Sequence, residues 1–128
     1  MREINKVIIH CSDTPPSMDI GAAEIDQWHK SKGWDGIGYH FVIRRDGAVE
    51  SGRPVNRVGA HTKGENHDSI GICLIGGGGG MFDYTVAQFE SLRLLVNSCR
   101  TIFGCEIKGH KDYSAKYCPN FDVVEWFG

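Results

Sequence analysis

Two histidines and a cysteine in this chain could together bind a metal ion. His10 follows an apolar run at residues 7–9, and His110 and Cys118 lie eight positions apart near the other end of the chain. Imidazole and thiolate are good zinc ligands, and a protein that provides three ligands leaves a fourth position open to water. An open position is typical of a catalytic zinc rather than a structural one. These residues therefore predict a catalytic metal site if the fold brings them together.

A zinc ion bound in this way would favour hydrolysis near neutral pH. Zinc lowers the pKa of a bound water from 15.7 toward about 7, and it polarises a carbonyl oxygen. The alternative is that His10 is a core histidine at a strand end and that His110 and Cys118 are unrelated loop residues. Spacing alone does not decide between these interpretations, because a hundred residues separate His10 from His110.

Hydrophobic patterning predicts one α/β domain over residues 1–128, with a central mixed β-sheet flanked by helices. Strands are predicted at residues 4–9, 39–43, 48–51, 69–75 and 106–109. Helices are predicted at residues 21–32 and 85–103. Asp46 and Gly47 indicate a tight hairpin turn. Thr85 and Gln88 have capping-box spacing at the start of the long helix, and Gly104 is placed to end it.

The five glycines at residues 76–80 predict a flexible connection after the fourth strand. A phosphate-binding loop is the alternative for such a run. It is not favoured, because no Gly-Lys-Ser or Gly-Lys-Thr follows.

Composition limits the partners and the compartment that we expect. A chain of 128 residues has room for one core, and a formal charge of -2 does not favour general nucleic-acid binding. No apolar run approaches the roughly 20 residues of a membrane span. The segment before His10 is short and only partly apolar, so we expect cytoplasmic synthesis without a signal peptide. We also expect a monomer.

The cysteines other than Cys118 allow two interpretations. They could form two disulfides in an oxidising compartment, but without an export signal we expect reduced thiols. Cys11, Cys73 and Cys99 lie in apolar runs, where a free cysteine is often a small core residue, and Cys105 follows the long helix.

Short motifs along nearly the whole chain carry a family resemblance. They are VIIHCSDT at 7–14, QWHK at 27–30, GW at 33–34, GYHFVI at 38–43, RDG at 45–47, AHTKG at 60–64, SIG at 69–71 and AKYCP at 115–119. With these motifs the chain resembles the type 2 N-acetylmuramoyl-L-alanine amidases, above all the small phage members called lysozymes. It is also similar to the peptidoglycan recognition proteins. The resemblance extends from about residue 4 to residue 126.

The resemblance implies a ligand set and two catalytic residues. One zinc ion per chain would be bound by His10, His110 and Cys118, and both ligand-bearing strands would end at the same edge of the sheet. Lys116 would stabilise the oxyanion formed by attack on an amide. Tyr39 would orient the water or bond the intermediate, and the sequence leaves these two roles open. The alternatives are a core tyrosine and a solvated lysine.

His61 matches a family position in the cleft, so we expect it to contact substrate or support the transition state. A fourth ligand is not favoured there, because it would close the open position. Asp122 either holds the metal loop as an acceptor or is exposed. For the other polar and aromatic candidates we expect packing, hydrogen-bonding or surface roles: His29, His40, His67, Trp28 and Trp34.

The implied activity is hydrolysis of the amide between N-acetylmuramic acid and L-alanine in peptidoglycan. Glycan cleavage is not expected, because glycosidases use two positioned carboxylates. One alternative is a non-catalytic peptidoglycan-binding module, against which Cys118 argues. Another is inhibition of a phage RNA polymerase, for which the nine residues before His10 form only a short tail. As a phage or prophage endolysin, the protein would reach the cell wall through a holin or another release route.

Overall fold

Five strands form one sheet within residues 2–127, the part of the chain that the computed structural model describes. In chain order they are β1 (Lys6–Cys11), β2 (Phe41–Ile43), β3 (Val49–Ser51), β4 (Ser69–Leu74) and β5 (Glu106–Gly109). Their order in the sheet is β3-β2-β4-β1-β5. β1 is parallel to β4 and β5, β2 is parallel to β4, and β2 and β3 are antiparallel. The predicted mixed sheet is confirmed.

Three α-helices accompany the sheet within the described residues: α1 (Ala22–Ser31), α2 (Val86–Phe103) and α3 (Val123–Phe127). The ends of α2 are as predicted, since Thr85 Oγ1 accepts the Gln88 N–H at 3.1 Å and Gly104 adopts a left-handed conformation with φ 65°. α3 was not predicted, because its five residues are too few for helical periodicity. None of the described helices is both long and apolar enough to cross a membrane.

β1 begins and ends two residues later than the pattern predicted. We predicted that His10 would follow the strand, whereas His10 and Cys11 lie within it and pair with Cys73 and Leu74 of β4. Pairing with a fully buried neighbouring strand extends β1 beyond its purely apolar residues. As a result, His10 belongs to the rigid sheet rather than to a loop.

The two faces of the sheet pack on different helices. Alternate residues of β4, such as Ile72 and Leu74, lie in one core cluster with Leu92 and Val96 of α2. Residues of the opposite parity belong to a second cluster that includes Ile25 of α1. A central parallel strand covered on both faces is expected to be buried along its whole length, and β4 is buried at every position.

Gln88 connects the start of α2 to the sheet. Its side chain is fully buried, and its Nε2 donates to the carbonyl oxygens of Ile43 at 3.2 Å and Ile75 at 2.9 Å. Its Oε1 accepts the backbone N–H of Thr85 at 3.0 Å. One side chain therefore joins the helix cap to the ends of β2 and β4.

We expect Gln88→Ala to lower the free energy of unfolding by about 1–3 kcal/mol, because the buried groups it bonds lose a hydrogen-bond partner. Urea unfolding followed by circular dichroism measures this change. Val86→Ala, at an exposed position two residues earlier in the helix, serves as the control and should change stability by no more than about 0.5 kcal/mol. Equal stability of the two variants would contradict this role of Gln88.

The glycine-rich segment after β4 is more ordered than predicted. Gly78–Gly80 form a short 3-10 helix, and Thr14 pairs with Gly77 in an isolated bridge. The Gly77 N–H donates to Asp83 Oδ1 at 2.9 Å, and its carbonyl accepts from Asn120 Nδ2 at 2.9 Å. Its φ of 74° favours glycine. The run therefore forms a specific loop against the segment that carries Cys118.

Candidate active site

Parallel pairing brings His10 and His110 together. β1 and β5 are neighbours, with Ile9 opposite Gly109. The next residue on β1 is His10, and the residue that follows the end of β5 is His110. Their ring centroids are 4.5 Å apart. The sheet thus brings together two residues that are distant in sequence. The resemblance implied this arrangement, in which both ligand-bearing strands end at the same edge of the sheet.

Cys118 approaches the end of β1 from the loop before α3. Its Sγ accepts the backbone N–H of Cys11 at 3.0 Å and lies 3.3 Å from Cys11 Sγ. The hydrogen bond between the sulfur atoms lowers the pKa of Cys11 to about 7 and raises the pKa of Cys118, and burial adds to the rise at Cys118. The Cys118 carbonyl accepts the Lys111 N–H at 2.7 Å. This loop is therefore attached both to β1 and to the residue after His110.

One donor atom from each of His10, His110 and Cys118 forms a group whose members lie within 4.8 Å of one another. That spacing suits a tetrahedral ion with ligand bonds of about 2.0–2.3 Å. Burial, with the neighbouring His61 and His110, lowers the pKa of His10 well below 6.5. Burial and the charge of Lys116 lower the pKa of His110 as well. Both imidazoles are therefore neutral at pH 7, the form that binds metal, and the three residues could hold an ion.

Tyr39 and Lys116 lie beside this donor group. Tyr39 lies in the chain just before β2. The centroid of its ring is 5.1 Å from the centroid of the His10 ring. Burial is the main cause that raises the pKa of Tyr39 well above 10, with nearby cysteine thiols adding to it. The tyrosine is therefore protonated at neutral pH and can donate a hydrogen bond. Lys116 is exposed on the loop that also carries Cys118.

A cavity of about 520 Å³ opens over these residues. Tyr39, His110 and Cys118 line it together with Lys116. One wall comes from α1 and its end, and its residues are Ile25, Trp28, His29 and Lys32. The other side is formed by the loops at residues 11–13, 77–80 and 117–120, through Cys11, Ser12, Asp13, Gly77, Gly80, Tyr117 and Asn120. Two of the three candidate donors, His110 and Cys118, thus share one accessible space with Tyr39 and Lys116, whereas His10 is buried beside it and does not line it.

His61 lies beside His10 and is not among the residues that line this cavity. Its Nδ1 is 2.8 Å from His10 Nε2. Burial is the main cause that lowers the pKa of His61 to about 3, and His40 and His110 add to the effect. His61 is therefore neutral. Its predicted contact with substrate stays a prediction, and this geometry does not support it.

Trp28 differs from its predicted packing role. Its side chain is 38% exposed and forms part of the cavity wall, because α1 packs on the sheet through Ile25, which is 2% exposed. Helical spacing identified the apolar side of α1 but not which of its residues border the cavity. Asp13, Lys32 and Gly77 also line the cavity, and the sequence analysis did not identify them as site residues.

The contacts and exposure of the remaining histidines suit the packing, hydrogen-bonding or surface roles predicted for them. His29 Nδ1 accepts the Gly38 N–H at 2.9 Å, although His29 also borders the cavity. His40 is buried, and its Nδ1 accepts the Gly71 N–H at 3.0 Å; burial lowers the pKa of His40 to about 4. His67 is exposed. Trp34 is partly exposed and packs on His29 with ring centroids 4.6 Å apart.

The other predictions on single residues have simple outcomes. Cys11, Cys73 and Cys99 are buried, as predicted. Asp122 accepts the Glu125 N–H at 3.1 Å and so contributes to the start of α3.

Comparison of the sequence with protein families identifies relatives along nearly the whole chain. The family model described as Amidase_2, N-acetylmuramoyl-L-alanine amidase, matches residues 1–121. The endolysin of Enterobacteria phage T3 is 49% identical over 126 residues, which cover 94% of this chain and 83% of that protein. Both matches include the segment of every candidate donor.

Solved structures with the same fold include enzymes and recognition proteins. The N-acetylmuramoyl-L-alanine amidase LysC from Clostridium intestinale URNW has a TM-score of 0.86 at 33% identity, covering 98% of this chain and 82% of its own. PGRP-SA of the bumblebee has a TM-score of 0.83 at 29% identity, covering 98% of this chain and 81% of its own. The resemblance seen in the motifs is confirmed by sequence and fold together, and the chain belongs to the N-acetylmuramoyl-L-alanine amidase family.

Proposed function

We propose that this protein is a zinc-dependent N-acetylmuramoyl-L-alanine amidase of the phage endolysin type. It hydrolyses the amide that joins the lactyl group of N-acetylmuramic acid to the first L-alanine of the stem peptide. The observation that carries the proposal is the position of His110, Cys118, Tyr39 and Lys116 on one cavity, with His10 directly beside them.

The donor set fits zinc. Two neutral imidazoles and one thiolate match the N/S preference of this ion, and three protein ligands are the usual number for a catalytic site. When bound, zinc supplies hydroxide near neutral pH and polarises the scissile carbonyl. We therefore assign His10, His110 and Cys118 as the ligands of one zinc ion per chain.

Lys116 and Tyr39 act on the charge that develops during hydrolysis. The Lys116 ammonium is two residues from Cys118 and close enough to lower the pKa of His110, so it can stabilise the oxyanion of the tetrahedral intermediate. The protonated Tyr39 hydroxyl donates a hydrogen bond to the same developing charge or orients the attacking oxygen. Both groups act without being ligands.

The biological setting follows from the relatives. The similarity to the endolysin of phage T3 supports a role for this chain in degrading the bacterial cell wall. We propose that the protein is made in the cytoplasm and reaches peptidoglycan after release through a holin or an equivalent route. We further propose that it acts as a monomer.

Product analysis on purified peptidoglycan tests the reaction. We expect digestion to release new L-alanine amino termini and no new reducing sugar ends, because the attacked bond is an amide. Preparations treated with a chelator should release neither, and added zinc should restore the amino termini. New reducing ends without amino termini would overturn the assignment, and tight peptidoglycan binding without any cleavage would support a binding module instead.

A further inference from the structure

The imidazole of His61 makes a short contact with the proposed ligand His10. His61 Nδ1 lies 2.8 Å from His10 Nε2, with ring centroids 4.9 Å apart and ring planes at 90°. Thr62 Oγ1 lies 3.2 Å from the same His10 nitrogen. His10 Nε2 is therefore surrounded by hydrogen-bond partners from the protein.

This contact determines which nitrogen of His10 is available to a metal ion. A neutral imidazole has one N–H donor and one lone-pair acceptor. When the lone pair binds a metal, the other nitrogen carries the proton and donates it to a nearby acceptor. Because Nε2 of His10 faces His61, Nδ1 is the nitrogen that remains for the ion.

We propose that His61 is a positioning residue, whose Nδ1 accepts the Nε2–H of His10 and so directs His10 Nδ1 to the metal. This inference rests on the metal site proposed above. With Nδ1 as the acceptor, His61 carries its proton on Nε2 and donates it to Ser69 Oγ at 3.2 Å. If the metal binds at Nδ1 of His10, then His10 donates its hydrogen bond to His61, and His61 donates its own to Ser69.

The backbone around His61 holds its ring in this orientation. A Cβ atom added to Gly71 would lie 2.6 Å from both Cγ and Cδ2 of His61, and one added to Gly59 would lie 2.6 Å from Cδ2. Only residues without a side chain allow the ring to pack this closely. The backbone N–H groups of His61 and Thr62 both donate to Asn66 Oδ1 at 2.9 Å. The ring is therefore fixed by its own loop and by β4.

A neutral acceptor has a specific consequence at this position. The partner of a metal-bound histidine is often a carboxylate, which adds negative charge and raises the basicity of the ligand. The His61 imidazole orients His10 without adding charge. The thiolate of Cys118 is then the only anionic group among the three proposed ligands and this partner.

Nitrogen NMR of the zinc-loaded protein tests the assignment directly. Two-bond ¹H–¹⁵N correlation spectra identify the protonated nitrogen of each histidine, and we expect it to be Nε2 in both His10 and His61. A proton on Nδ1 of His10 in zinc-loaded protein would overturn the inference and leave the zinc site intact. Failure of the parent protein to bind zinc would overturn the proposed function as well.

Variants at His61 test the same inference through metal affinity, measured by competition with a chromophoric chelator. We expect His61→Ala to bind zinc about 10- to 100-fold more weakly, the usual effect of losing the partner of a ligand. His61→Asn places an amide oxygen near the former Nδ1 and should recover most of that affinity. His67→Ala, an exposed control, should match the parent. Full affinity in His61→Ala, or equal losses in the Ala and Asn variants, would contradict a positioning role.

Discussion

Cys118→Ala is expected to abolish tight zinc binding and, with it, amide hydrolysis. Removing the thiolate leaves two imidazoles, which is fewer than the three protein ligands of a typical catalytic zinc site. The loss of affinity should exceed the roughly 10- to 100-fold that follows from removing a partner of a ligand. Zinc content after gel filtration and amide cleavage, measured on the same preparation, give the result.

The neighbouring thiol determines the controls for this variant. Cys11 Sγ is only 3.3 Å from Cys118 Sγ, so this thiol could replace the lost ligand after a small movement. We expect Cys11→Ser alone to retain zinc, because Cys11 lies outside the donor group. We expect the double variant Cys11→Ser/Cys118→Ala to bind no more zinc than Cys118→Ala does. A Cys118→Ala protein with full zinc and full activity would exclude Cys118 as a ligand, and loss of that zinc in the double variant would identify Cys11 as the substitute.

Much of the fold could be predicted from local patterns, because its main elements are regular and long. α2 has 18 residues with both caps encoded nearby, and β4 is buried at every position. Local patterns do not predict an element that is too short, and they do not predict the end of a strand that is extended by pairing with a neighbouring strand. α3 is too short to have a detectable period, and β1 gains His10 and Cys11 only because β4 runs beside them.

The candidate site was predicted through the resemblance rather than through spacing. Nothing in the order of residues brings His10 next to His110; the parallel pairing of β1 with β5 does so. The position of His61 depends on contacts that the sequence does not encode locally. Its ring fits beside Gly59 and Gly71, and glycines are too common in this chain for these two to stand out. The contact through which His61 would position the ligand His10 can therefore be recognised only in the three-dimensional structure.

Lys116→Ala should separate metal binding from catalysis. Lys116 is outside the donor group but lines the same cavity, so its loss should leave zinc content unchanged. Loss of one oxyanion donor typically lowers kcat by about 100- to 1,000-fold, and we expect a loss of this size. Lys116→Arg keeps the positive charge and should retain part of the rate. Lys63→Ala removes the same charge from an exposed position that is not on the cavity, and it should match the parent.

Tyr39→Phe provides the complementary measurement, because it removes one hydroxyl and keeps the ring that packs beside His10. The variant should fold, bind zinc and lose rate, since the buried, protonated hydroxyl is the group that it lacks. Zinc stoichiometry, thermal unfolding and amide cleavage on the parent, Lys116→Ala and Tyr39→Phe distinguish the contributions. If both variants fold, bind one zinc and cleave at the parental rate, neither residue stabilises the transition state, and the metal site alone must account for the activity.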